Sequence, residues 1–331
     1  MNESENWEKE YKKKVLISGP TGAIGMALIQ QLLFCGCQVT AITHRGSVRN
    51  QRFREAFGKD MEDGALQIVE CDLSELSTLR DHRMSSYDWF YHLAWMGTTG
   101  MAREDVRCQE QNIRYTLDAV ELAAAVGCTR FIGVGSQAEY GIQKEVLSEK
   151  TPTCPKTGYG IAKLTAGQLS RKRCQQLGMA HIWVRVLSVY GPYDTERSVV
   201  MTVIRNLIQG CSPACTKGEQ IWDFLYSEDA ARALILLGEK GKDGEIYCLG
   251  SGSGRMLRYY IEEIQTIAEK ICQRPMPPIH FGAIDYGEDP IRYLQADISQ
   301  LTSHTGFVPK VSFAEGIERT VTWCRKDQAD E

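Results

Sequence analysis

Residues 15–25 read VLISGPTGAIG, a short aliphatic strand running into glycines at positions 19, 22 and 25. Each glycine has its own use at such a strand-to-helix junction. Gly19 lets the backbone turn tightly, Gly22 lets it pass close to a pyrophosphate, and Gly25 lets the next helix pack on the sheet. The helix N-terminus then aims its free N–H groups at the phosphates, with Thr21, Ala23 and Ile24 completing the loop. The flanks agree with a dinucleotide site. Lys12–Lys14 lead into the strand, and MALIQQLLF at 26–34 continues as an apolar helix. A purely structural glycine turn is the alternative.

The chain has 331 residues, 43% of them hydrophobic, enough to build one large α/β unit or two joined lobes. A formal net charge of −4 and a pI near 6.0 leave no broad positive field, so nucleic acid is not an expected partner. The opening residues MNESENWEKEYKKK lack the apolar stretch of a signal peptide, and no apolar run reaches the roughly 18 residues of a membrane span. A cytoplasmic protein with no membrane partner is therefore expected. Its twelve cysteines are read as reduced thiols. Cys35/Cys37 and Cys211/Cys215 have no second ligand pair at zinc-site spacing, and none of the six histidines forms an HExxH pattern, so no metal is expected.

From residue 14 to about 190, β-branched runs alternate with amphipathic helical stretches. The strands are predicted at Val15–Ser18, Gln38–Thr43, Leu66–Val69, Trp89–Leu93, Arg130–Val134 and His181–Val186. A long helix is predicted at Glu110–Val126. This rhythm implies an α/β fold, a doubly wound parallel sheet. Beyond Tyr190 it loosens, with a turn at GPYD, a helix at Val199–Gln209, and Gly, Pro and Cys clustered at 210–218. We expect a dinucleotide-binding domain over residues 1–190, with 1–13 as a charged extension. Residues 191–331 then form mainly a substrate-binding lobe, some of whose segments return to the sheet.

Strand two ends at Thr43-His44-Arg45, where many NAD-binding folds place an acidic residue for the adenosine ribose. An arginine there matches a 2′-phosphate instead and favours NADP, the alternative being a solvated loop residue. Asp72, after strand three, is placed either to accept from the adenine amino group or to cap a helix. Tyr159 and Lys163, four residues apart in YGIAK, share one face of a helix. A phenol is a poor acid or base at neutral pH, and a neighbouring ammonium lowers its pKa by favouring phenolate. Lys163 can also hold the nicotinamide ribose. Strand five runs into Gly133-Val134-Gly135-Ser136, which brings a hydroxyl to the carboxyl edge of the sheet, where ligands of open α/β folds bind.

In GPTGAIG, CDLS, YHLAW, EQNIRYTLDAV, FIGVGSQAEYG, YGIAK, RVLSVYGPYD, DFLYSEDAARALILL and the closing DISQLTSHTGFVPKVSFAEGIERTVTW, the chain resembles the extended short-chain dehydrogenase/reductases. The resemblance is to their nucleotide-sugar epimerase/dehydratase group and covers nearly the whole length. It implies a Rossmann-type domain with a smaller C-terminal lobe, and a catalytic triad of Ser136, Tyr159 and Lys163. Asn112 would support Lys163 through water. Leu73, Leu93, Ala94 and Leu187 would line the cofactor groove, although the last three would also be core in any α/β sheet. Relatives commonly dimerise through the two helices that carry EQNIRYTLDAV and YGIAK. A homodimer is therefore expected, and the small residues Leu122–Val126 either allow that contact or face the sheet.

The departures from the pattern concern substrate and reaction. The family often has an asparagine where this chain has Ser188 and an arginine where it has Trp222, both serving a sugar nucleotide. Arg205 and Arg292 are the candidate replacements. Dehydratases typically carry an acid directly after the Ser/Thr, whereas Ser136 is followed by Gln137-Ala138. HLAWMGTTG and GSQAEYG look most like NDP-4-keto-6-deoxyhexose reductases, such as the CDP-abequose synthase-like group. The expected activity is NADP-dependent reduction of a keto group on a nucleotide-activated deoxysugar. The alternatives are a 4-epimerase with tightly held NAD and, more remotely, a non-catalytic NADP-binding regulator.

Overall fold

The computed structural model describes residues 12–80, 86–287 and 290–329, so most of the charged N-terminal extension lies outside the described residues. The first half alternates strand and helix. Its elements are β1 (Lys14–Ser18), α1 (Ala23–Phe34), β2 (Gln38–Thr43), the short α2 (Arg49–Ala56) and α3 (Gly58–Glu62), β3 (Leu66–Glu70) and β4 (Trp89–His92). Then come α4 (Val106–Ala125), β5 (Arg130–Ser136), α5 (Gly158–Leu177) and β6 (Ala180–Val186). The second half has shorter strands: β7 (Ser188–Tyr190), α6 (Val199–Gln209), β8 (Ala214–Cys215), β9 (Ile221–Trp222), β10 (Phe224–Tyr226) and α7 (Ser227–Lys240). It ends with β11 (Ile246–Leu249), β12 (Arg255–Met256), α8 (Leu257–Cys272), β13 (His280–Phe281), α9 (Ser299–Thr305) and α10 (Phe313–Ala329).

Seven strands form one parallel sheet in the order β11-β6-β5-β4-β1-β2-β3. A parallel sheet needs both faces covered, and its strands accordingly read as continuous apolar runs. Val15, Leu16 and Ile17 have no exposed surface. α1 and α7 pack together on one face, with Leu28, Ile29, Leu234 and Ile235 in the largest core. α4 and α5 cover the other, and Leu122 and Ala123 of α4 are buried there. Of Leu122–Val126, Leu122, Ala123 and Val126 thus face the chain's own core, while Ala125 is exposed.

From the second half, α7 covers the sheet, β11 is its seventh strand beside β6, and Leu225 of β10, Leu301 of α9 and Phe307 join the same core. α6, α8 and α10 close around a second core, where they bring together Ile204, Tyr260, Ile264, Ile317 and Val321. Buried aspartates join the pieces. Asp223, between β9 and β10, accepts from Ser251 N and Oγ at 2.7 and 2.6 Å through Oδ1, and from Gly252 N and Ala296 N at 3.1 and 3.0 Å through Oδ2. Asp229 in α7 accepts from Lys310 N and Val311 N at 2.9 and 2.8 Å and pairs with Arg232. A hydrogen bond to a buried charge contributes about 1.5–3 kcal/mol, and removing the acceptor orphans every donor it served. Asp223→Ala is expected to cost about 3 kcal/mol or more, read as a lower urea midpoint with the m-value retained.

Candidate active site

The parallel register collects the ends of six strands on one edge, and the predicted site residues lie along it. After β1, Gly19 takes a left-handed φ of +73°, and a Cβ there would fall 2.5 Å from Ala94 N, so only glycine lets this turn cross the Leu93–Ala94 backbone. Gly22 precedes α1 without a capping side chain, and a Cβ on it would meet nothing within 4 Å. Open space faces the uncapped start of a 12-residue helix at Thr21–Ile24, which fits a dinucleotide pyrophosphate.

At the β2 and β3 ends, Arg45 Nη2 pairs with Glu75 at 2.9 Å. Asp72 Oδ1 accepts from the Arg45 N–H at 3.1 Å and lies 2.7 Å from His44 Nδ1. Asp72 thus ties the two strand ends together, while Leu73 packs against the core under α4. Leu93 is half-buried against the main core. Leu187 donates its N–H to Leu249 O at 2.9 Å, and its side chain joins a small cluster with Tyr140 and Leu294.

Ser136 is the last residue of β5. Tyr159 and Lys163 lie in the first two turns of α5, which is capped by Thr157, whose Oγ1 accepts from Gly160 N at 3.0 Å. Tyr159 is 8% exposed. Burial raises its phenol pKa, and a hydrogen bond with Ser136 and the charge of Arg103 act against that rise. Lys163 is 3% exposed; its Nζ donates to Val134 O at 2.7 Å and stands 3.7 Å from the Trp95 ring centre. Burial brings this ammonium down to about 7, and the charge of Glu139 opposes the fall. Beneath it, His92 bonds Ser18 Oγ at 2.7 Å, and burial holds its pKa down to about 3, so the ring is neutral.

Three residues join the site that sequence reasoning did not name. Arg103 lies 4.2 Å over the Tyr159 ring, and Trp95 meets that ring edge-on at 6.0 Å. Both are placed by the loop after β4, which α4 holds down. Gln109 bonds Gly97 O, Ala102 O and the Trp95 indole, and Asn112 bonds both Met96 N and Met96 O at 2.9 Å. The Asn112 amide, expected to reach Lys163 through water, is thus engaged by this loop. The third residue, Glu139, is fully buried and accepts from the Ser136 N–H at 2.8 Å. Its signal was present in the sequence, since Ser136-x-x-Glu139 has the spacing of a capping box.

On the substrate side, Trp222 donates its indole N–H to Ser188 Oγ at 2.9 Å, so the two departures from the family pattern meet each other. Arg205 is held by Asp327 at 2.8 Å and lines a groove of about 1040 Å³ with Arg52, Trp323 and Thr21 of the glycine loop. Arg292 lies next to β9: its carbonyl accepts from Ile221 N, and its exposed guanidinium stacks 3.7 Å over Tyr286.

A model of the NAD dependent epimerase/dehydratase family matches residues 15–250. A dTDP-glucose 4,6-dehydratase from Actinoplanes is 26% identical over 328 residues, covering 96% of this chain and 99% of the relative. Among solved structures, the UDP-N-acetylglucosamine 4-epimerase of Methanobrevibacter ruminantium superposes with a TM-score of 0.82 at 24% identity, over 96% of this chain and 99% of its own. RMD from Pseudomonas aeruginosa, complexed with NADPH, does so at 0.75 and 20% identity, over 95% and 99%. With the fold, the glycine loop and the family match in agreement, the chain belongs to the NAD dependent epimerase/dehydratase family and is an enzyme of the extended short-chain dehydrogenase/reductase type.

Proposed function

We propose that the protein reduces a keto group on a nucleotide-activated deoxysugar, using NADPH. The observation that carries the reading is the turn after Ser136. Gln137 and Ala138 have no carboxyl, and the one carboxylate of that turn, Glu139, is saturated by Ser136 N–H, the Trp183 indole and Arg185. No group of this turn serves the acid and base steps of an elimination, although the Actinoplanes relative is a dehydratase. Reduction needs only one proton donor at the carbonyl oxygen.

A bound nicotinamide dinucleotide supplies the hydride. Tyr159 donates the proton to the forming alkoxide, Ser136 hydrogen-bonds the same oxygen, and the Lys163 ammonium stabilises the phenolate left behind. Tyr159→Phe is expected to lower turnover of an NDP-4-keto-6-deoxyhexose by about 100-fold or more, with NADPH affinity nearly unchanged. Substantial residual activity, followed by NADPH absorbance, rejects this role.

Arg45 carries the choice of cofactor. Its ion pair with Glu75 is exposed and worth at most about 1 kcal/mol, so a 2′-phosphate can displace it. A charge-assisted contact to phosphate is worth more, and Arg45→Ala is expected to weaken NADPH by roughly 10- to 100-fold and leave NADH unaffected. The Glu75 carboxylate beside Arg45 also gives a second reading its support, a 4-epimerase holding NAD through the ribose hydroxyls. NAD that co-purifies and survives dialysis, with no net coenzyme consumption, selects that reading.

The protein acts as a homodimer on this view. Val106 of α4 and Ile161 and Leu169 of α5 are 70%, 52% and 43% exposed and offer an apolar face to a second copy.

A further inference from the structure

Arg103 ends a short helical turn, Gly100–Arg103, in the loop between β4 and α4, and its guanidinium carbon lies 4.2 Å from the centre of the Tyr159 ring. The loop is fastened at that point. Gly158, the residue before Tyr159, donates its N–H to Glu104 at 3.1 Å, and a side chain on Gly158 would fall 3.2 Å from the Arg103 carbonyl oxygen. Gln109 of α4 donates to Ala102 O at 2.8 Å, and Arg103 Nη1 donates to Thr98 O at 3.1 Å. The backbone is thus held on both sides of the contact, and the guanidinium is delivered onto the phenol. Among the described residues no carboxylate pairs with Arg103, and Glu104 beside it is engaged by Gly158, so the charge over the ring is uncompensated.

The other groups facing Tyr159 come from three sides. Ser136 at the end of β5 hydrogen-bonds the phenol, and Glu139 in the next turn adds a negative charge. Trp95 meets the ring edge-on at 6.0 Å, and Lys163 on the same helix places its Nζ 5.9 Å from the ring centre. Arg103 is therefore the nearer cation to that centre. The two cations also differ in kind. The Lys163 ammonium is buried, donates to Val134 O, faces the Trp95 indole at 3.7 Å and titrates at about 7, so its charge is present below that pH and fades above it. A guanidinium keeps its charge throughout. Its attraction to a ring face grows when the phenol becomes a phenolate, because a full negative charge then adds to the quadrupole.

We propose that Arg103 is a positioning residue of the proton-transfer machinery, its guanidinium held on the Tyr159 ring to stabilise the phenolate left when the phenol gives its proton to the substrate oxygen. The inference rests on Tyr159 being the proton donor, as proposed above, but its test needs no substrate, so the two can fail separately. Difluorotyrosine placed at position 159 alone has a more acidic phenol, which brings its ionisation into the range where the protein is folded, and its ¹⁹F resonance is titrated by NMR. Arg103→Gln keeps a donor for Thr98 O and removes the charge, whereas Arg103→Lys keeps the charge and loses the planar fork. The phenol is expected to titrate about one pH unit higher, or more, in Arg103→Gln, a tenfold loss of ionisation, and to return at least half-way in Arg103→Lys. Circular dichroism checks that both variants are folded, as expected for a loop side chain that bonds only one carbonyl. An unchanged titration in Arg103→Gln overturns the proposal. So does a shift that Arg103→Lys fails to reduce, which would make Arg103 a tether of the loop and not a charge on the phenol.

Discussion

A carboxylate and a guanidinium, both essentially without solvent contact, meet between β5 and β6 beneath the edge that carries Ser136, and the geometry of that edge depends on them. Removing one member of such a pair leaves an uncompensated buried charge worth several kcal/mol, about 3–5, whereas a well-packed apolar pair of equal volume would be as stable or more so. Stability alone therefore does not account for Glu139 and Arg185. What the pair does is local: one oxygen fixes the peptide of Ser136, and Arg185 lies 4.6 Å over the Tyr140 ring, whose hydroxyl donates to Ser148 O at 2.9 Å. The end of β5, the turn after it and the chain that follows are thus locked to β6.

The same constraint decides what the sequence could reveal. Strand five was expected over Arg130–Val134. It runs to Ser136, and Gly133 and Gly135 in it clear the Trp183 ring of β6 and the Glu139 carboxylate of the next turn. Helix α4 begins at Val106, ahead of the expected Glu110, because the Asp105 cap accepts from Arg107 N and Cys108 N while the first turn is too polar to show an apolar period. The six strands of the first half were legible, as was the helix Val199–Gln209, since their local pattern and tertiary role coincide. β11 was not. Its four residues, IYCL, lie 60 positions beyond the strand they pair with, and nothing local distinguishes them from a buried loop.

At the site, what was legible is what backbone direction dictates. Parallel strands deliver Gly19, Arg45, Asp72, Ala94, Ser136 and Leu187 to one edge whatever surrounds them, and a helix spaces Tyr159 and Lys163 by one turn. Trp95 and Arg103 depend instead on how a loop is tied to α4, by side chains of Gln109 and Asn112 that reach back across it. Such a tether leaves no periodic trace. It matters electrostatically, because it sets a guanidinium over the Tyr159 phenol and an indole ring against the Lys163 ammonium.

The two departures from the family pattern, Ser188 and Trp222, meet in the second half of the chain. Where relatives direct an arginine and an asparagine at a sugar nucleotide, this chain joins Trp222 to Ser188 through one hydrogen bond, closing that wall with a neutral, half-buried pair. Of the two arginines that sequence alone offered as replacements, Arg205 is withdrawn into an ion pair with Asp327. Arg292 remains next to β9 with its guanidinium exposed and stacked on Tyr286, so of the two it is the one whose charge stays at the surface beside the Trp222–Ser188 pair.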